Sequence, residues 1–517
     1  MSDMSAVQPP LADLAHWLPA SEAPWALTYE HWPQAEAQRW RAVMAVSAKG
    51  ALAVLADRLS DILLWQRIES RARRQVRWIA CDALAVDAWL GAGEAGYRAM
   101  AEFNEGFADA PTTSAAVELS ALHLSEQSSP IVRLLDSTLY DALQDGASDL
   151  HFECVPRGLR IRYRVDGVLL DVRTVEGSAV AEQLVSRLKV MSELDIGERR
   201  LPQDGRFKLR MQGREIDFRL SVMPSIFGED AVVRVLDRTQ IQQQGQLTLD
   251  ALGFDEHVRS TIRALASLPH GMLLVTGPTG SGKTTTLYAA IGEINAGTDK
   301  IITIEDPVEY QLPGVVQIPV NEKKGLTFAR GLRSVLRHDP DRVMVGEIRD
   351  PDTAQIAVQA ALTGHVVFST VHANNAFDVV GRFAHMGLDL YNVVSALNGV
   401  VAQRLMRTNC SECSKPFVPS AQLLDRMGCT PSPHHAFARG HGCPHCRGTG
   451  YRGRKAVAEL LLLDDEMRDL IAGRAPMVRI KTAARERGMS ALRDAAMAAV
   501  CAGQTTFEEI DRVTAAS

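Results

Sequence analysis

The run LLVTGPTGSGKTTTLYAA, residues 273–290, constrains the fold more tightly than any other stretch of the chain. Gly277, Gly282, Lys283 and Thr284 satisfy the spacing G-x-x-x-x-G-K-[ST]. Glycines let such a loop curl until its backbone N–H groups converge on phosphate oxygens. The helix that follows adds its positive dipole end. Lys283 can reach the β- and γ-phosphates, and the Thr284 hydroxyl can ligate Mg²⁺. Pro278, Thr279, Gly280, Ser281 and Thr285 complete the candidate ATP-binding loop. An apolar strand must precede the loop and a helix must follow it, and both patterns are present. The chain therefore reads as a binder of nucleoside triphosphate with a largely parallel sheet behind the loop.

After Leu247 the pattern is strand, loop and helix in repetition. Short apolar strands are expected at Met272–Val275, Ile301–Ile304, Val343–Val345 and Val366–Phe368. In an open parallel sheet, ligands bind beyond the carboxyl ends of the strands. Strand 301–304 runs into EDPVE, which supplies Glu305, Asp306 and Glu309. Strand 343–345 ends in Gly346-Glu347, and strand 366–368 leads to His372, with His365 just before it. Cleavage of a γ-phosphate needs an oriented water and charge stabilisation more than covalent chemistry. Glu347 is the candidate to orient or deprotonate that water. Gly346 is read as leaving the backbone free to approach the nucleotide. A carboxylate of the 305–309 segment is expected on the metal side.

The 517 residues allow several domains, and a net charge of −6 with no long basic run gives no electrostatic case for broad nucleic-acid binding. The amino-terminal twenty residues lack the basic-then-apolar pattern of a secretory signal. No stretch approaches the ~20 apolar residues of a membrane span, so a cytoplasmic protein is expected, meeting the inner membrane only through partners. Of eight cysteines, four form the pairs Cys410/Cys413 and Cys443/Cys446. Two C-x₂-C knuckles give four thiolates for a closed structural zinc site. Cys429 reads as a spectator, while His441 and His445 stand as alternative ligands. Upstream, LRIRYRVDGVLLDV alternates around a turn at Asp166-Gly167, and GRFKLRMQGREIDFRL does so around Gly213. At the carboxyl end, Gly503 closes one helix, and Thr506 with Glu509 offers a capping box for the next.

These segments, in this order, resemble the type II secretion and type IV pilus-extension ATPases over about residues 130–517. GPTGSGKTTTLY is similar to the family's Walker A, TIEDPVEY to its aspartate box, LRSVLRHDPDRVMVGEIRD to its Walker B and TGHVVFSTVHAN to its histidine box. GASDLHFE, RVDGVL and RLPQDGR resemble its second amino-terminal domain, and CRGTGYRGR its metal-binding subdomain. The resemblance implies a multi-domain α/β protein: a RecA-like P-loop domain preceded by an α+β, PAS-like domain, with a tetracysteine zinc subdomain and C-terminal helices. It implies a catalytic set of Lys283, Glu347, Glu305, Glu309, His365 and His372. The hinged α+β domain would add arginines, Arg219 and Arg234 first and Arg206 after them. It further implies a homohexamer that drives pseudopilus assembly in type II secretion, with type IV pilus extension as the alternative. An inner-membrane platform protein and a membrane anchor with a cytoplasmic domain would be partners, reached through residues 1–125.

The boundaries expected are 1–107 for a partner-binding domain, 108–130 for a linker and 131–238 for the α+β domain. A hinge follows at 239–246, then the ATPase domain at 247–405, the cysteine subdomain at 406–460 and the helical region at 461–517. A nucleic-acid-dependent RecA-like motor and a non-hydrolysing nucleotide switch are the competing readings. The acidic net charge weighs against the first, and the set Lys283, Thr284 and Glu347 against the second.

Overall fold

The computed structural model describes residues 14, 17–29, 32–57, 62–72, 75–96, 118–119, 129–211, 214–236 and 247–514. The chain divides into two compact units, Met1–Thr239 and Gln240–Ser517. Most of the expected 108–130 linker, the whole of the expected 239–246 hinge, and the turn at Gly213 lie outside the described residues.

The first unit holds two sheets. Strands β1 (Trp25–Leu27), β2 (Ala42–Ser47), β3 (Leu52–Ala56) and β4 (Val76–Ala80) form the smaller one in that order. Trp32 and Trp89 fill its core, and the Trp32 indole donates to the Ala42 carbonyl at 2.9 Å. The larger sheet contains β5 (Glu118–Leu119), β6 (Ala147–Val155), β7 (Gly158–Val165), β8 (Val168–Glu176), β9 (Gln203–Met211), β10 (Arg214–Ser225) and β11 (Gly228–Leu236). Its order is β5-β9-β10-β11-β6-β7-β8. The expected hairpin turn is present: Asp166 and Gly167 both take positive φ, as a two-residue I′ turn demands. Period-two patterning decides the faces. Phe207, Leu209 and Met211 are buried, while Arg206, Lys208 and Arg210 are exposed. Helices Pro130–Gln144 and Ser178–Met191 complete the apolar core.

The second unit is built on β12 (Gly271–Thr276), β13 (Ile301–Glu305), β14 (Val316–Pro319), β15 (Arg342–Val345), β16 (Val366–Val371) and β17 (Leu397–Asn409). After the short pair β18 (Ser414–Pro416) and β19 (Ala438–Gly440), β20 (Tyr451–Leu462) returns to the main sheet. The order is β14-β13-β15-β16-β12-β17-β20, parallel throughout except for the last, antiparallel pair. Helices cover both faces, so the strands read as unbroken apolar runs. Met272 and Leu274 point into one core, Leu273 and Val275 into the other. β17 runs across residue 405, and β20 runs across residue 460, both in the central sheet. The cysteine pairs thus sit on an excursion between two hydrogen-bonded strands. No helix among the described residues is long and apolar enough to cross a membrane.

Only half of the expected capping box forms at the last helix, Phe507–Val513. The Thr506 hydroxyl accepts from the Glu509 N–H at 3.4 Å, but the Glu509 side chain turns away to Arg407 and Arg512. Burial pushes the Glu509 carboxyl up, but hydrogen bonds from Arg512 and Arg407 more than offset this and leave it below its ordinary value of 4.5. A depressed folded value stabilises the fold above that pH, and the contribution is lost as pH falls through the folded value. Glu509→Gln should therefore cost about 3–5 kcal/mol at neutral pH, because the arginines lose their buried counter-charge. The shift in urea midpoint between the two proteins should narrow as the pH is taken below 4.5.

Candidate active site

The phosphate loop leaves the carboxyl end of β12 and enters helix Lys283–Ile294 through Gly282. Gly277 has φ 145°, and a Cβ there would lie 2.5 Å from the Gln403 carbonyl oxygen and 2.7 Å from Ser281 Oγ. Only glycine lets the loop pass this close to β17. The fully buried Gln403 side chain then clamps the loop. Its Nε2 donates to the Ser281 carbonyl at 2.6 Å, and its Oε1 accepts from the Thr286 hydroxyl at 2.9 Å. At the tip of β12, the Thr276 hydroxyl donates to the Val371 carbonyl at 2.7 Å, joining this strand to β16. Ser281 Oγ is buried without a hydrogen-bond partner, a polar group suited to an incoming phosphate oxygen.

Lys283 Nζ donates to the carbonyls of Gly277 and Pro278 at 3.0 and 3.1 Å. Burial holds the ammonium below the usual lysine range; Arg404 presses the same way, while Glu347 and Glu309 oppose. Lys283, Glu347, Glu309 and Arg404 therefore share one electrostatic neighbourhood at the carboxyl edge of the sheet. Arg404 is anchored by the Asn374 carbonyl at 2.8 Å. Sequence reasoning missed both Gln403 and Arg404. Their signal was a glutamine and an arginine in the otherwise apolar run VVAQRLM.

Glu347 follows β15, and its side chain is 13% exposed. One oxygen lies 2.5 Å from Arg349 Nη2, and the other lies 3.4 Å from His372 Nε2. Asp350 instead caps helix Pro351–Leu362. Gly346 corrects an expectation. A Cβ there would meet the Ile304 carbonyl oxygen at 3.2 Å and Glu305 Cα at 3.4 Å. The space it leaves is filled by the neighbouring strand rather than kept open for nucleotide.

Two further expectations change. Glu305 is 2% exposed, and its carboxylate is engaged by Tyr288, Thr303 and Gln317, the last at 3.1 Å. It holds β13 to its neighbours and is not available to a metal in the cleft, whereas Glu309 is exposed. His365 stands at the amino end of β16, its Nδ1 3.1 Å from the Ala360 carbonyl. A six-residue parallel strand spans about 20 Å, so His365 and His372 occupy opposite edges of the sheet.

In the first unit, Arg219 lies directly opposite Arg234 on β11 and Arg206 on β9. The three exposed guanidinium groups form a row across adjacent strands. The row continues to Asp149 on β6, which accepts from Arg234 Nε at 2.8 Å.

The cysteine pairs converge. Sγ–Sγ separations are 3.8 Å for Cys410–Cys443, 3.7 Å for Cys413–Cys446 and 3.7 Å for Cys443–Cys446. Tetrahedral thiolates at a Zn–S distance of about 2.3 Å stand about 3.8 Å apart, so the four sulfurs fit a thiophilic ion. The group of mutually close ligand atoms includes neither His441 nor His445. Burial pushes the Cys446 thiol up, but N–H donation from Cys443 and Gly450 and the adjacent thiols bring it down to about 6.

The family model for "Type II/IV secretion system protein" matches residues 124–512. The type II secretion system ATPase E of Vibrio cholerae is 46% identical over 390 residues, 75% of this chain and 76% of that protein. The type II secretion system protein HxcR of Pseudomonas aeruginosa is 42% identical over 489 residues, 93% of this chain and 98% of that one. Among solved structures, the Legionella pneumophila ATPase DotB superposes with a TM-score of 0.53 at 20% identity, over 73% of this chain and 94% of that one, a likeness of fold. The chain belongs to the type II/IV secretion system protein family and is an ATP-hydrolysing, RecA-like member of it.

Proposed function

We propose that this chain is the motor ATPase of a type II secretion system and that it works as a homohexamer on the cytoplasmic side of the inner membrane. The backbone of residues 277–284 binds the phosphates of ATP, with Lys283 against the β- and γ-phosphates. The Thr284 hydroxyl would hold Mg²⁺, with Glu309 as a candidate carboxylate, and the ion would supply charge neutralisation when bound. Glu347 orients the attacking water and accepts its proton. Arg349 holds one oxygen of that carboxylate in place, and His372 steadies the second. Arg219 and Arg234 of the α+β domain, with Arg206 beside them, place positive charge against the transferring phosphoryl group. Three like charges on neighbouring strands repel one another, and a polyphosphate relieves this. The tetracysteine cluster holds zinc in a structural role, since four sulfurs leave no open position. Residues 1–125 engage the membrane-anchored partner. Cycles of closure around the ring act on the platform protein to extend the pseudopilus.

The observation that carries this reading is that the phosphate loop bearing Lys283 and the strand end bearing Glu347 both lie at the carboxyl edge of one parallel sheet, near enough for Glu347 to act electrostatically on the Lys283 ammonium. Glu347→Gln should lower kcat by about 10²–10⁴-fold while nucleotide binding persists, measured as steady-state phosphate release beside fluorescent-nucleotide titration. His365→Ala should leave kcat unchanged. Parent-level hydrolysis by Glu347→Gln would sink the role given to that carboxylate.

Alanine at Arg219 should cost about 10²–10³-fold in kcat, as for loss of one donor to a developing anion. Lysine at the same position should restore part of the rate. An Arg219→Ala enzyme with wild-type turnover would remove this arginine from the mechanism.

A further inference from the structure

A second cluster of soft ligands lies apart from the tetracysteine group. Cys429 Sγ, Cys501 Sγ and a ring nitrogen of His435 lie within 4.8 Å of one another. The two sulfurs are 3.8 Å apart, again the edge of a tetrahedron with metal–sulfur bonds of about 2.3 Å. His435 Nδ1 is buried and has no hydrogen-bond partner. A buried imidazole nitrogen normally finds a donor or acceptor, so one left alone on a ring that reaches two thiols points to an absent ligand. Cys429 was read from sequence as a spectator because it belongs to neither C-x₂-C pair.

The three residues come from separate segments. Cys429 follows Gly428, which closes helix Ala421–Met427, and His435 lies in the loop leading to β19. Cys501 is the last residue of helix Leu492–Cys501, in the C-terminal helical region. Backbone bonding already brings them together, since Ala436 N–H donates to the Cys501 carbonyl at 2.7 Å. A cavity of about 580 Å³ adjoins the cluster, and His434 and Asp494 also line it. It leaves room for a fourth ligand, either His434 or water.

We propose that Cys429, Cys501 and His435 form a second metal site of the zinc class. The ion ties the cysteine excursion to the C-terminal helices. Two sulfurs and an imidazole suit Zn²⁺, and thiolate ligation selects against magnesium or calcium. The proposal does not depend on the motor reading or on the metal state of the four-sulfur cluster.

The test is metal content of the full chain, purified with zinc and dialysed, by mass spectrometry of the metal. About two zinc ions per chain are expected in the wild type. C429S/C501S and His435→Ala should each lose about one, and C410S/C443S should retain the one held here. X-ray absorption on wild-type protein needs no variant: two sites average about three sulfurs per zinc, while the four-sulfur site alone gives four. The proposal falls if wild-type and C429S/C501S proteins hold equal zinc. It also falls if peptide mapping finds Cys429 and Cys501 joined as a disulfide in the metal-free chain, or if absorption shows four sulfurs per zinc.

Discussion

The nucleotide cleft depends on a single amide. Gln403 donates to the loop at Ser281 and accepts from the first helical turn at Thr286. No apolar residue could do both. A leucine there would bury the Ser281 carbonyl and the Thr286 hydroxyl without partners, at roughly 1–3 kcal/mol for each group. A charged residue would be desolvated at this position, which is 0% exposed. The amide is the side chain that matches one acceptor and one donor at once. Through it the loop takes its position from β17, the sixth strand of the sheet, as well as from β12, which leads into it.

Around that fixed loop the sheet sorts charge by strand end. The apolar interiors of β12, β13, β15 and β16 are locked between two cores, so polar groups emerge only at the tips. Hydroxyls there bond across to neighbouring strands: Ser369 to the Val345 carbonyl and Thr370 to the Gly346 carbonyl, both at 2.7 Å. These bonds set the height at which Glu347 and His372 leave their strands. The result is an edge where the Lys283 ammonium feels Arg404 as well as the Glu347 and Glu309 carboxylates. Arg349 holds one oxygen of Glu347 at 2.5 Å, so the orientation of the carboxylate is fixed from within its own loop.

Local patterns were readable wherever one interaction dominated. The phosphate loop, the four short strands and the Asp166-Gly167 turn follow from spacing and backbone chemistry alone. Long-range geometry was not readable. HVVFSTVH carries a histidine at each end, and only strand direction tells which one reaches the cleft. Glu305 and Glu309 look alike in EDPVE, yet one ends a buried strand and the other stands in an exposed loop. AVAELLLL, residues 456–463, is an obvious strand. Its partner β17 is remote in sequence, across the cysteine pairs, so the pairing could not be read from local pattern. The arginine row is legible only once register is known, because Arg206, Arg219 and Arg234 have no common spacing.

β17 has one more consequence. It carries Gln403 near its middle and delivers Cys410 immediately beyond its end, about 23 Å away at 3.3 Å per residue. Between them the strand is paired with β20, with one register shift between Arg407 and Asn409. The same continuous strand therefore carries the side chain that clamps the phosphate loop and runs straight into the first of the four sulfurs.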